Sequence, residues 1–122
     1  MAFSTFILIF SSVLISALAQ IALKQGMSSS TVSAALGQGT ASTVTAIATN
    51  PYVIGGLSLY ALGAVLWLFV LSRVDVSVAY PFVAFGFIVT MGLAIVLLGE
   101  PLQPLRVAGT LLVVAGAVLI TR

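Results

Sequence analysis

The chain has no cysteine and no histidine, and of its 122 residues only four are Lys or Arg and two are Asp or Glu. Without cysteine there is neither a disulfide framework nor a thiolate ligand, and without histidine the commonest metal ligand and general base is gone. No nucleophile, base or metal-ligand set can be assembled from what remains. Soluble enzymology, a metal site, a cofactor and a nucleic-acid partner are therefore not expected. Charged residues make up 5% of the sequence, against roughly 25% in a soluble domain, so water is not the solvent for most of this chain.

What the sequence does have is apolar length: 61% of its residues are hydrophobic and its mean hydropathy is +1.33. A helix crosses a hydrocarbon core of about 30 Å with about 20 mostly apolar residues. Four windows between the charges fit that requirement, at about 3–24, 52–72, 76–98 and 105–121. Backbone groups in lipid must bond within their own segment, which makes each window helical. The expectation is an all-α, multi-pass membrane domain over residues 1–122. Ala17-Leu18-Ala19 looks like a signal cleavage site, but the start lacks a basic n-region, the apolar run is too long, and Lys24 closes it as a membrane-edge anchor does.

One connector is long. Residues 25–50 are largely Ser, Thr, Ala and Gly with no charge, and Val32 to Ile47 is too polar to span and too apolar for a plain linker. A short interfacial helix is the favoured reading, a mobile loop the other. The remaining connectors, Ser72 to Asp75 and Gly99 to Pro104, are tight turns that force neighbouring helices antiparallel. Gly99 suits the end of the third helix, and Pro104 suits the first turn of the fourth.

With four spans, Arg73 and Arg122 share one membrane face while Lys24 and Arg106 share the other, and each face carries one acid, Asp75 or Glu100. Orientation normally follows an excess of basic residues in cytoplasmic loops. Here the sides balance. Either the chain inserts both ways and pairs with an inverted copy, as an antiparallel dimer, or a partner subunit or the insertion machinery fixes its direction.

Several side chains are candidates for function. Ser12, Ser16, Gln20 and Lys24 recur at four-residue steps and draw a polar stripe along an apolar rod. The stripe reads either as interhelical glue or as the lining of a substrate groove with Lys24 at its mouth. Lys24, Glu100 and Arg106 fall at one membrane face, as snorkelling anchors or as a set that holds a phosphate. Tyr60 and Trp67 lie seven apart on one face of the second helix and are both candidates for a substrate contact; an interfacial belt also explains Trp67, and Tyr60, nearer the middle, is the better candidate. Pro81 and Gly86 permit the third helix to bend, as packing features or as a hinge. Gly109 and Gly116 on the fourth helix let another backbone approach, which reads as a dimer contact. No helix carries a carboxylate near its middle, the usual requirement for proton-coupled export of organic cations.

Leu66-Trp67-Leu68, Val78-Ala79-Tyr80-Pro81, Gly99-Glu100-Pro101-Leu102, the Gly109 to Gly116 helix and Ala19-Gln20 followed by Lys24-Gln25 together resemble the four-helix form of the drug/metabolite transporter superfamily. The resemblance covers nearly the whole chain except the long connector. Within that superfamily the small multidrug resistance branch has a helix-one glutamate eight residues before the matching lysine, where this chain has Ser16. That branch also has a tryptophan three residues after the matching tyrosine, where this chain has Val83. The bacterial subunits that flip aminoarabinose-phosphoundecaprenol across the inner membrane are more similar, since the chain keeps Gln20, Lys24, Gln25, Trp67, Tyr80, Pro81 and Glu100. That resemblance implies a small inner-membrane flippase of a lipid-linked or similarly amphipathic substrate, working by alternating access. Its partners would be membrane lipid and a second copy or a related four-helix subunit. Tyr80 joins the substrate-contact candidates on the same ground. The alternatives are a multidrug-type exporter of cationic compounds and a non-transporting accessory subunit.

Overall fold

The computed structural model describes residues 3–121, and all of the regular structure among them is helical. Helix α1 spans Phe3–Met27. Two short helices follow, α2 at Ser30–Ala35 and α3 at Thr40–Thr49, and then α4 at Pro51–Leu71. The third apolar window is α5 at Val76–Ala79, a 3₁₀ turn at Tyr80–Val83 and α6 at Ala84–Leu98. Helix α7 runs over Pro104–Ile120. Arg122, whose charge entered the topology argument, lies outside the described residues.

Among the described residues three segments are long and apolar enough to cross a membrane: Phe3–Met27, Pro51–Leu71 and Val76–Leu98. Helix α7 is apolar but has 17 residues, at the short end of the spanning range of about 17–25. The long connector holds two helices where one was expected. The break falls around Gly39, whose φ of 103° no L side chain adopts cheaply. In α3 the hydroxyls of Thr43, Thr45 and Thr49 donate to carbonyls of their own or the preceding helix. Pro81 replaces one helical turn of the third span with the 3₁₀ segment, because its ring nitrogen has no proton to donate. Gly99 (φ 68°) caps α6, and Pro104 opens α7, as the sequence implies.

Helix α1 is the centre of the fold, with α4 packed along one side and α6 along another; α7 stands outermost beside α6. The α1–α4 seam is a close backbone approach. A Cβ on Gly56 would stand 2.9 Å from the Leu23 side chain and 3.1 Å from the Ala19 carbonyl, and one on Gly63 would stand 3.0 Å from the Ser16 hydroxyl. A core of Ile9, Val13, Val70 and Ala79 fills the junction of α1, α4 and α5, with Trp67 and Phe82 packed against it. The Phe82 ring meets Phe6 edge-on at 5.9 Å and stacks on Phe85 at 6.0 Å, which ties the proline-broken turn to the start of α1. At that same end Arg73 donates to the Ser4 hydroxyl at 3.3 Å.

Asn50 fixes the other end. Its side-chain oxygen accepts from the Tyr52 and Val53 amides at 3.0 and 3.2 Å, while its amide nitrogen donates to the Gly26 carbonyl at 3.4 Å and to the Ser29 hydroxyl at 3.1 Å. One buried side chain thus caps α4 and ties it to the end of α1. Asn50→Ala is expected to cost about 2–3 kcal/mol, the cap plus stranded buried partners. Asn50→Asp, which keeps the acceptor and loses the donor, is expected to cost less. Thermal unfolding in detergent followed by circular dichroism checks the order.

Candidate functional site

Helices α4 and α6 flank α1, and the space between them is a groove of about 520 Å³. The first span contributes Ser12, Ser16 and Gln20 to its wall, and α4 contributes Tyr60, Gly63 and Trp67. The third span adds Tyr80, Val83, Gly86, Phe87 and Thr90. Six residues picked out in the sequence as substrate contacts, three on α1 and three aromatics from two other elements, therefore meet around one space. Among the described residues no charged side chain lines it.

The stripe on α1 divides by depth. Ser12 is buried and its hydroxyl donates to the Gly63 carbonyl at 2.9 Å. That makes it a bond between helices, with only its edge on the groove. Ser16 is half-buried and Gln20 exposed, so these two offer the groove its amide and hydroxyl. Lys24 is exposed and does not line this groove. Each four-residue step turns a helical position by about 40°, so three steps carry Lys24 about 120° from Ser12. Gly86 sits where α6 crosses α1, and a Cβ there would approach Val13 to 3.2 Å.

Glu100 and Arg106 meet elsewhere, on a second groove of about 590 Å³ between α6 and α7, and Lys24 does not join them. Gly109 is part of its wall, whereas Gly116 is not. Among the described residues, no other helix comes within 4 Å of the Cβ that either glycine lacks. Phe87 and Thr90 border both grooves, so one stretch of α6 separates them.

Some site residues escaped the sequence reading. Gly56 and Gly63 repeat on α4 the seven-residue spacing that singled out Gly109 and Gly116 on α7, and only the former pair meets another helix of the chain. Asn50 followed by Pro51 at the head of an apolar run was a legible cap signal. Phe87 and Thr90 carried no signal. The two positions at which the chain departs from the multidrug pattern, Ser16 and Val83, both line the central groove.

Fold and groove together define a multi-pass helical membrane protein with a polar but uncharged recess between its spans. The chain is similar to a probable 4-amino-4-deoxy-L-arabinose-phosphoundecaprenol flippase subunit ArnE of Pseudomonas aeruginosa. The two are 38% identical over 73 residues, which cover 60% of this chain and 64% of the relative. The ArnE subunit of an Enterobacter species is 42% identical over 66 residues, 52% of this chain and 62% of that protein. A flippase subunit ArnF of Aeromonas hydrophila is 31% identical over 70 residues, 56% and 48% of the two chains. The chain thus spans under two thirds of the length of the curated relatives it matches. No family model and no solved structure matches it.

Proposed function

We propose that this chain is a transporting subunit in the bacterial inner membrane that flips a lipid-linked sugar phosphate of the aminoarabinose-phosphoundecaprenol type. The observation that carries this reading is the convergence of Ser16, Gln20, Tyr60, Trp67 and Tyr80 on one uncharged groove between apolar spans. A polyprenyl tail stays in lipid throughout, so the protein must shelter only the headgroup. Hydroxyl and amide groups do that by exchanging hydrogen bonds with the sugar, without the cost of carrying a fixed charge through hydrocarbon. The 3₁₀ break at Pro81 supplies the bend by which the groove opens to one face and then the other. A copy of this chain or a related subunit completes the unit, seated along α7 at Gly116, outside the groove that Gly109 lines. Export of cationic drugs is the weaker reading, because among the described residues no carboxylate lines the groove.

The test is headgroup translocation in proteoliposomes that contain the chain together with any subunit that co-purifies with it. Aminoarabinose-phosphoundecaprenol is added to one leaflet, and a membrane-impermeant amine reagent reports its arrival in the other. Gln20→Leu is expected to slow translocation about tenfold, the worth of about one buried hydrogen bond, with thermal unfolding unchanged. Translocation by Gln20→Leu at the wild-type rate would remove the groove from the mechanism.

A further inference from the structure

The α6–α7 groove has a composition that the central groove lacks. Its walls are mostly apolar, with Phe87, Met91, Ile95 and Val113 beside the hydroxyls of Thr90 and Thr110, and its rim at one membrane face carries Glu100, Gln103 and Arg106. Arg106 is exposed and Glu100 half-exposed. Among the described residues the two form no ion pair within 4.0 Å. A carboxylate and a guanidinium on one rim, each with donor or acceptor capacity to spare, match a headgroup that bears both an anion and an ammonium. The apolar wall beneath matches a hydrocarbon chain.

We infer that this groove is the loading site of the transported lipid, with the phosphate on Arg106, the sugar amine on Glu100 and the first part of the prenyl chain against Met91 and Ile95. The inference rests on the flippase reading above. Phosphate and primary amine occur together in that substrate and also in phosphatidylethanolamine. The substrate is the assigned occupant because the groove adjoins the central one across Phe87 and Thr90, so a headgroup released from the rim reaches the central groove by moving about two helical turns along α6. A guanidinium and a carboxylate at the rim also distinguish the amino-sugar lipid from its precursor without the amine, which offers Glu100 nothing and brings it a second negative charge.

Binding of radiolabelled aminoarabinose-phosphoundecaprenol and of undecaprenyl phosphate to the full chain in phosphatidylcholine nanodiscs tests this. The amino-sugar lipid is expected to bind at least about tenfold more tightly than undecaprenyl phosphate. Arg106→Gln should weaken both lipids about tenfold or more, whereas Glu100→Gln should weaken the amino-sugar lipid alone and leave undecaprenyl phosphate unchanged or tighter. Equal binding of the two lipids by the wild type, or equal effects of Glu100→Gln on both, would overturn the assignment. So would competition by phosphatidylethanolamine at equal mole fraction, which makes the site one for bulk lipid. Cross-linking of a photoreactive group at Leu102 to a second subunit in place of lipid would also overturn it, since the groove would then be an interface. The two failures are distinguishable: wild-type binding with this pattern but no translocation sinks the flippase reading and leaves only a binding site for the amino-sugar lipid, whereas translocation with no Glu100 selectivity sinks the loading site alone.

Discussion

Gly56→Val is expected to abolish the folded state or lower its stability by about 3 kcal/mol or more, while Gly109→Val leaves the stability of the isolated chain unchanged. The difference lies in what a side chain would meet. At Gly56 a Cβ would stand 2.9 Å from both Cγ and Cδ2 of Leu23 and 3.1 Å from the Ala19 carbonyl oxygen. Leu23 can turn away at its tip, but its Cγ and the Ala19 backbone move only if α1 moves. Valine adds two methyl groups to that contact, and forced insertions into a tight interface cost about 1–3 kcal/mol even where relaxation is available. Separation of α1 and α4 would also strain the Ser12 bond to the Gly63 carbonyl and the Asn50 bonds to the end of α1. In lipid there is little hydrophobic gain to hold two helices together once packing is lost. At Gly109 no other described part of the chain lies within 4 Å of the missing Cβ, so valine there is accommodated in the single chain. Yield of monodisperse protein and thermal unfolding in detergent measure both variants. If Gly116→Val breaks a dimer seen by cross-linking in membranes, the α7 partner face is supported.

The contrast shows where the sequence was informative. Apolar length marked the spans, because the bilayer thickness sets a length that few other constraints mimic. Turn chemistry was legible at Gly99 and Pro104, where a left-handed residue and a preset φ have local causes. The composition of the central groove was legible in part: Ser16 and Gln20 on one helix, and Tyr60 and Trp67 on another, are uncommon in otherwise apolar segments. Their convergence was not, since it depends on α1 lying between α4 and α6, an order that tight antiparallel turns alone do not determine. Nor did regular spacing show that Lys24 leaves the stripe, because a period of four overruns the helix by about 40° per step. Small-residue spacing was ambiguous for a physical reason. Two glycines seven apart mark a face that another backbone approaches, yet the pattern is the same whether that backbone belongs to the same chain, as at Gly56 and Gly63, or to none within it, as at Gly109 and Gly116.

The polarity of the groove leads to the other large effect. On the proposed flippase reading, Ser16→Glu is expected to reduce translocation of the lipid-linked phosphate by at least about a hundredfold and to give the protein a stronger capacity to bind lipophilic cations. Ser16 is half-buried and lines the groove beside Gly63 of α4. An ionised carboxylate placed there would face an incoming phosphate in a medium of low effective dielectric, where repulsion over a few ångströms amounts to several kcal/mol. A delocalised cation would meet attraction of the same order, with the Tyr60, Trp67 and Tyr80 rings nearby to add cation–π contact. Cation binding must strengthen as pH rises, because the carboxylate attracts the cation only when ionised. Equilibrium binding of tetraphenylphosphonium across a pH series, run beside the amine-reagent translocation assay, reads both effects. Ser16→Gln separates charge from size: nearly isosteric with glutamate but neutral, it should retain much more translocation than Ser16→Glu and bind tetraphenylphosphonium no more tightly than the wild type at any pH. Equal loss of translocation in the two variants would mean that bulk at residue 16 blocks the groove. The absence of charge would then not be what suits this recess to a phosphate-bearing headgroup.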